Sequence, residues 1–95
     1  MSEIKKVFWG KKVEKQLSKV PKFIGEKFFT WVSSVGFVGL RKVREYPGYH
    51  DEPLKGERKG QRSIRLSRGY RAFYVERMDG SVEFVEVIEV NKHDY

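Results

Sequence analysis

From Arg62 to Lys92 the chain alternates in period two through three consecutive segments, and this limits the fold more than any other feature. Arg62–Ser67 sets Ile64 and Leu66 against Ser63 and Arg65. Residues 70–77 set Ala72 and Tyr74 against Arg71 and Phe73. Asp79-Gly80 is a tight-turn pair, and after it Val82–Lys92 sets Val82, Phe84, Ile88 and Val90 against Val85, Val87, Glu89 and Asn91. Successive side chains of a strand point to opposite faces, so this pattern predicts three antiparallel strands with one face buried.

The first half supplies the cover for that face. Residues 3–9 (with Ile4, Val7 and Phe8) predict a short edge strand, and residues 11–20 place Val13, Leu17 and Val20 at helical spacing. Pro21 can open a second helix, in which Ile24, Phe28, Trp31, Val32 and Val35 form one apolar stripe; Gly36 and Gly39 mark its end or a bend. The stretch 45–60 holds Pro47-Gly48, Pro53, Gly56 and Gly60 and reads as a loop. With no repeat and no dividing linker, residues 1–95 form one domain of the α+β class. Its expected order is strand, two helices, three antiparallel strands, in a small antiparallel sheet with the helices packed on one face. Seven Phe, five Tyr and two Trp must build much of the core. The other sheet face is left bare, carrying Arg65, Arg71 and, if the last strand stays extended, His93 and Tyr95.

The formal net charge is +7, and its placement matters more than its size. Residues 1–50 carry eleven bases and four acids, and residues 51–95 carry nine of each. Within the second half, residues 55–71 hold seven Lys or Arg and one acid, Glu57, whereas residues 76–94 are net acidic. Clustering of this kind steers a polyanion, most simply nucleic acid; the plainer alternative is a solvated basic face. The chain has no Cys, which excludes disulfides and thiolate metal sites. The histidines are too few and the carboxylates too scattered for a metal site. There is no P-loop, dinucleotide fingerprint or nucleophile elbow, so neither a metal nor a cofactor is expected. Without an apolar signal segment or membrane-length apolar run, the expected location is the cytoplasm, with no membrane partner.

Arginines and a histidine on an open sheet face suit phosphodiester cleavage through the 2′-hydroxyl of RNA. That reaction needs a base at the 2′-oxygen, positive charge at the phosphorane and an acid at the leaving 5′-oxygen. Arg65 and Arg71 can supply the charge, since a guanidinium matches phosphate oxygens and stays protonated; either alone could be a surface residue paired with Glu83 or Glu89. His93 can exchange a proton near neutral pH, although a lone exposed histidine near a terminus is often idle. Tyr95 could stack on a base, assist proton transfer or cap the core. His50 is a loop residue with a packing role as its plainer reading. Lys55, Arg58, Lys59, Arg62 and Arg68 read as grips on the RNA backbone.

The run DEPLKGERKGQRSIRLSRGYRAFYV, followed by VEFVEVIEVNKHDY, resembles the RelE/ParE toxin superfamily of type II toxin–antitoxin pairs, in particular the RelE, HigB and YafQ branches. The likeness covers nearly the whole chain and rests on Leu54-Lys55-Gly56, the basic strand after it, Gly69-Tyr70-Arg71 and the closing histidine. It implies a metal-independent endoribonuclease, an mRNA interferase acting commonly in the ribosomal A site. The partners it implies are mRNA, the ribosome and a cognate antitoxin, with the toxin monomeric within the complex. Arg71 matches the arginine after Gly-Tyr that contacts the scissile phosphate in RelE, and Arg65 falls where RelE has an active-site lysine and YafQ a histidine. His93 matches the late histidine of YafQ and the late arginine of RelE, and Tyr95 resembles the C-terminal aromatic of these toxins at a shorter spacing. Two positions depart: Ser63 stands where RelE has a second lysine, and Glu52 where YafQ has a loop histidine, with His50 two residues away. Two alternatives stay open, a ParE-like toxin that targets gyrase and a basic RNA-binding domain without catalysis.

Overall fold

A computed structural model describes residues 3–92. The order of elements is β1 (Val7–Trp9), α1 (Lys11–Leu17), α2 (Lys22–Val38), α3 (Leu40–Arg44), β2 (Glu52–Pro53), β3 (Arg62–Ser67), β4 (Tyr70–Asp79) and β5 (Val82–Lys92). Short 3₁₀ turns at Pro47–Tyr49 and Gly56–Arg58 flank β2.

Helix α2 forms because Ile24, Phe28, Trp31 and Val35 recur on one face, and all four are fully buried. They lie on Ile64, Leu66, Ala72, Tyr74, Val85, Val87 and Val90 of the sheet. Large rings dominate this layer: Trp31 sits 5.5 Å from Tyr74, and Phe28 meets Trp9 edge-on at 5.2 Å. Gly39 ends α2 at φ 91°, where a side chain would be strained. A Cβ there would also fall 2.1 Å from the side chain of Glu3. That carboxylate accepts a hydrogen bond from the Arg41 N–H at 3.2 Å, and the Ile4 carbonyl accepts from the Leu40 N–H at 2.8 Å. Two donors at the start of α3 are thereby satisfied. The short α3 was not expected, since Leu40–Arg44 is too brief to show a helical period.

The sheet runs β1-β5-β4-β3-β2. Its antiparallel centre matches expectation, and Asp79 pairs with Val82 across a two-residue turn in which Gly80 has φ 63°. Two features correct the sequence reading. Strand β1 pairs with β5 in parallel, so the sheet is mixed, and β2 adds a fifth, two-residue strand within the expected loop. Periodicity reports which face a residue occupies and says nothing about which strand lies beside it. The second correction concerns faces in β5: Val85 and Val87 are buried, whereas Val82 is exposed and Phe84 and Ile88 are half-buried. Phe73 pairs with Glu89 but Tyr74 with Val87, which leaves Ile88 as an extra residue. This β-bulge inverts the alternation, so the core set runs Val85, Val87, Val90 rather than along one parity.

Candidate active site on the open sheet face

The helices cover one face of the sheet, and the site lies on the other. Arg65 of β3 pairs directly with Arg71 of β4, which pairs in turn with Asn91 of β5. Next to this row runs a second one, Glu52, Ser63, Phe73 and Glu89, across β2 to β5. Directly opposed like charges repel, so this in-register pair costs some stability. Arg71 is partly neutralised. Its Nη1 donates to Ser63 Oγ at 2.9 Å and lies 3.5 Å from Glu52 Oε1. Ser63 is buried and holds the guanidinium in place, while the Glu52 side chain is 56% exposed. Arg65 is half-buried and makes no hydrogen bond or ion pair among the described residues.

Beside this pair, the Arg58 guanidinium lies 4.2 Å over the Phe73 ring. Its Nη1 donates to Gln61 Oε1 and its Nη2 to Glu89 Oε1, both at 2.8 Å. Asn91 Nδ2 donates to the other Glu89 oxygen at 2.9 Å. Burial pushes the Glu89 carboxyl up, but the hydrogen bonds from Arg58 and Asn91 and the Arg58 charge outweigh that and hold it below its ordinary value.

Arg62 belongs to the opposite face. Its Nε donates to Asp51 Oδ1 at 2.6 Å, and Tyr74 Oη donates to Asp51 Oδ2 at 2.5 Å. Arg44 adds a third partner, with Nε 3.9 Å from Asp51 and 3.3 Å from Tyr74 Oη and Nη2 2.6 Å from Glu76. The Asp51 carboxylate is 1% exposed. Burial first, and then the Asp51 charge, pushes the Tyr74 hydroxyl well above the ordinary phenol range, so it stays a donor. This cluster ties the residue just before β2 to β3, β4 and α3, next in sequence to Glu52.

Of the residues singled out from sequence, Arg65 and Arg71 converge on the open face. Lys55 and Lys59 are exposed beside it, around the Gly56–Arg58 turn. Arg68 lies exposed in the β3–β4 turn, and His50 is exposed at φ 44° after the Pro47–Tyr49 turn. His93 and Tyr95 lie outside the described residues. Sequence reasoning treated Ser63 as a missing charge and Glu52 as a departure; the fold gives them the work of holding and partnering Arg71. Asp51 had no signal at all, because nothing in a single sequence marks a carboxylate as buried. No group of three or more metal-ligating side chains occurs among the described residues.

Solved structures share this architecture across nearly their full length. A YoeB/ParE toxin from Agrobacterium tumefaciens aligns with TM-score 0.67 at 22% identity, covering 94% of this chain and 99% of its own. The archaeal RelE–RelB complex from Pyrococcus horikoshii OT3 aligns at 0.66 and 20%, covering 92% of each chain. The toxin–antitoxin complex RelBE2 from Mycobacterium tuberculosis aligns at 0.57 and 24%, covering 97% and 100%. The chain has the RelE/ParE toxin fold. No family model and no curated protein sequence matches it. Within that architecture, the Arg65–Arg71 row occupies the face that the helices leave uncovered. No helix among the described residues is long and apolar enough to cross a membrane.

Proposed function

We propose that this protein is the toxin of a type II toxin–antitoxin pair and an endoribonuclease that cuts mRNA, in the A site of the ribosome, without a metal. The single observation that carries this reading is the in-register Arg65–Arg71 pair on the uncovered face, with the Glu52 carboxylate 3.5 Å from Arg71. A dianionic phosphorane relieves the repulsion between the two guanidinium groups, so binding energy grows as the transition state forms.

In this mechanism Glu52 accepts the 2′-hydroxyl proton and the 2′-oxygen attacks phosphorus. Arg65 and Arg71 hold the equatorial oxygens, and His93 protonates the departing 5′-oxygen. The products are a 2′,3′-cyclic phosphate and a free 5′-hydroxyl. Tyr95 stacks on a base or assists the proton transfer, while His50, Lys55, Lys59 and Arg68 contact the RNA backbone. Arg62, bound to Asp51, acts by positioning the β2 segment. An acidic antitoxin covers the arginine face in the cytoplasm until it is removed. Its apolar anchors have exposed counterparts in Phe29, Phe37 and Tyr46, which line a groove of about 680 Å³ on the outer side of α2.

Primer extension on translated mRNA after induction tests this. Discrete A-site cuts, absent from Arg71→Ala, support it; intact mRNA with gyrase-linked DNA breaks supports a ParE-like toxin, and neither outcome leaves a binding domain.

A further inference from the structure

Arg58 differs from the other cations of the basic stretch in lying over an aromatic ring while two side chains hold its nitrogens. Its central guanidinium carbon lies over the Phe73 ring, 4.2 Å from the centroid, and Gln61 and Glu89 accept from two of its nitrogens at 2.8 Å each. A flexible lysine-like grip for phosphate needs none of this. The side chain is still 38% exposed, so the face away from Phe73 can be reached from solvent. Phe73 lies two residues from Arg71 on the same side of β4, about 6.6 Å away at 3.3 Å per residue. The supported plane therefore sits beside the proposed phosphate site, within reach of one nucleotide.

We infer that Arg58, backed by Phe73 and held by Gln61 and Glu89, is a shelf on which a nucleobase next to the scissile phosphate stacks. Planar guanidinium groups accept bases as aromatic rings do, and single-stranded RNA bases are free to lie on them. The Gln61 carboxamide and the Glu89 carboxylate engage two of the five guanidinium N–H groups and hold the group in place, and a base stacked on its exposed face is accepted whatever its identity. Arg58 is thus assigned to base contact rather than to the phosphate backbone. This rests on the RNA-cleaving reading above.

The test uses a short 2′-O-methyl RNA, which cannot undergo 2′-oxygen attack, carrying an abasic site at each position in turn. Binding is measured by fluorescence anisotropy for the wild type, Arg58→Lys, Arg58→Ala and Phe73→Leu, with far-UV circular dichroism confirming that each is folded. One abasic position is expected to weaken wild-type binding by roughly 5- to 150-fold, the range for one lost stacked base. Arg58→Lys keeps the charge and the salt dependence but loses that abasic penalty, and Phe73→Leu reduces it. The shelf is overturned if Arg58→Lys binds the intact RNA as tightly as wild type, or keeps the same penalty. It is also overturned if the free RNA fails to bind while mRNA is still cut on ribosomes. Failure of the wild type both to bind RNA and to cut mRNA overturns the functional reading itself.

Discussion

Asp51→Asn should damage the protein in two separable ways. The carboxylate is 1% exposed and accepts from Arg62 at 2.6 Å and from Tyr74 at 2.5 Å, with Arg44 at 3.9 Å. Removing one partner of a buried charge cluster typically costs about 3–5 kcal/mol. Here Arg62 and Arg44 are 25% and 28% exposed and can regain water, and asparagine keeps one acceptor oxygen, so the expected loss is about 2–3 kcal/mol. A domain of this size has about 5–15 kcal/mol in all and loses roughly 4–8 °C of melting temperature per kcal/mol. The variant therefore stays folded at 25 °C with its melting temperature lowered by roughly 10–20 °C. The second effect is local. With Asp51 released, Glu52 is no longer held over Arg71, so RNA cleavage at 25 °C should drop further than the folded fraction does. Thermal unfolding followed by circular dichroism gives the first quantity, and cleavage by the folded fraction gives the second. A melting temperature within about 2 °C of wild type would refute the buried-charge reasoning. Unchanged cleavage in a clearly destabilised variant would refute the positioning role.

Other outcomes follow from the same contacts. Arg65→Ala should leave stability unchanged or slightly higher, because it relieves a like-charge pair, yet lower mRNA cleavage by roughly 10²–10³-fold; equal losses of stability and activity would contradict this. His93→Ala is expected to slow cleavage without abolishing it, whereas Arg71→Ala abolishes it; undiminished cleavage in the former would remove His93 from the mechanism. Glu89 is held below its ordinary value of 4.5, so its contribution to stability is present above about that pH and is lost as pH falls through the lower folded value. Glu89→Gln should accordingly flatten the acid limb of a denaturation profile, and an unaltered limb would refute the Arg58–Glu89 coupling. Gly39→Ala combines φ 91° with a Cβ 2.1 Å from Glu3, and should destabilise by roughly 1–3 kcal/mol in urea unfolding.

The α+β class and the central meander were legible because alternation and turn chemistry are local. The stripe Ile24, Phe28, Trp31, Val35 was legible for the same reason. The parallel pairing of Val7 with Val85 was not, since register between distant segments leaves no mark in either. The bulge at Ile88 defeated a strict period of two by inserting one apolar residue among others of similar size. At the site, the shared face of Arg65 and Arg71 followed from parity. Arg62 read as another surface cation although its parity is that of Ile64 and Leu66, and only three-dimensional packing reveals the Asp51 carboxylate waiting for it on that side. Arg58 lies in a loop without periodicity, so its stack on Phe73 could not be read from spacing.

The most direct test of RNA cleavage by the Arg65–Arg71 face is mass spectrometry of the ends left on ribosome-bound mRNA by the purified protein. A 2′,3′-cyclic phosphate upstream and a 5′-hydroxyl downstream are expected, with both signals lost in Arg71→Ala. Intact mRNA from a folded wild-type protein, or the same ends in undiminished yield from Arg71→Ala, would contradict it.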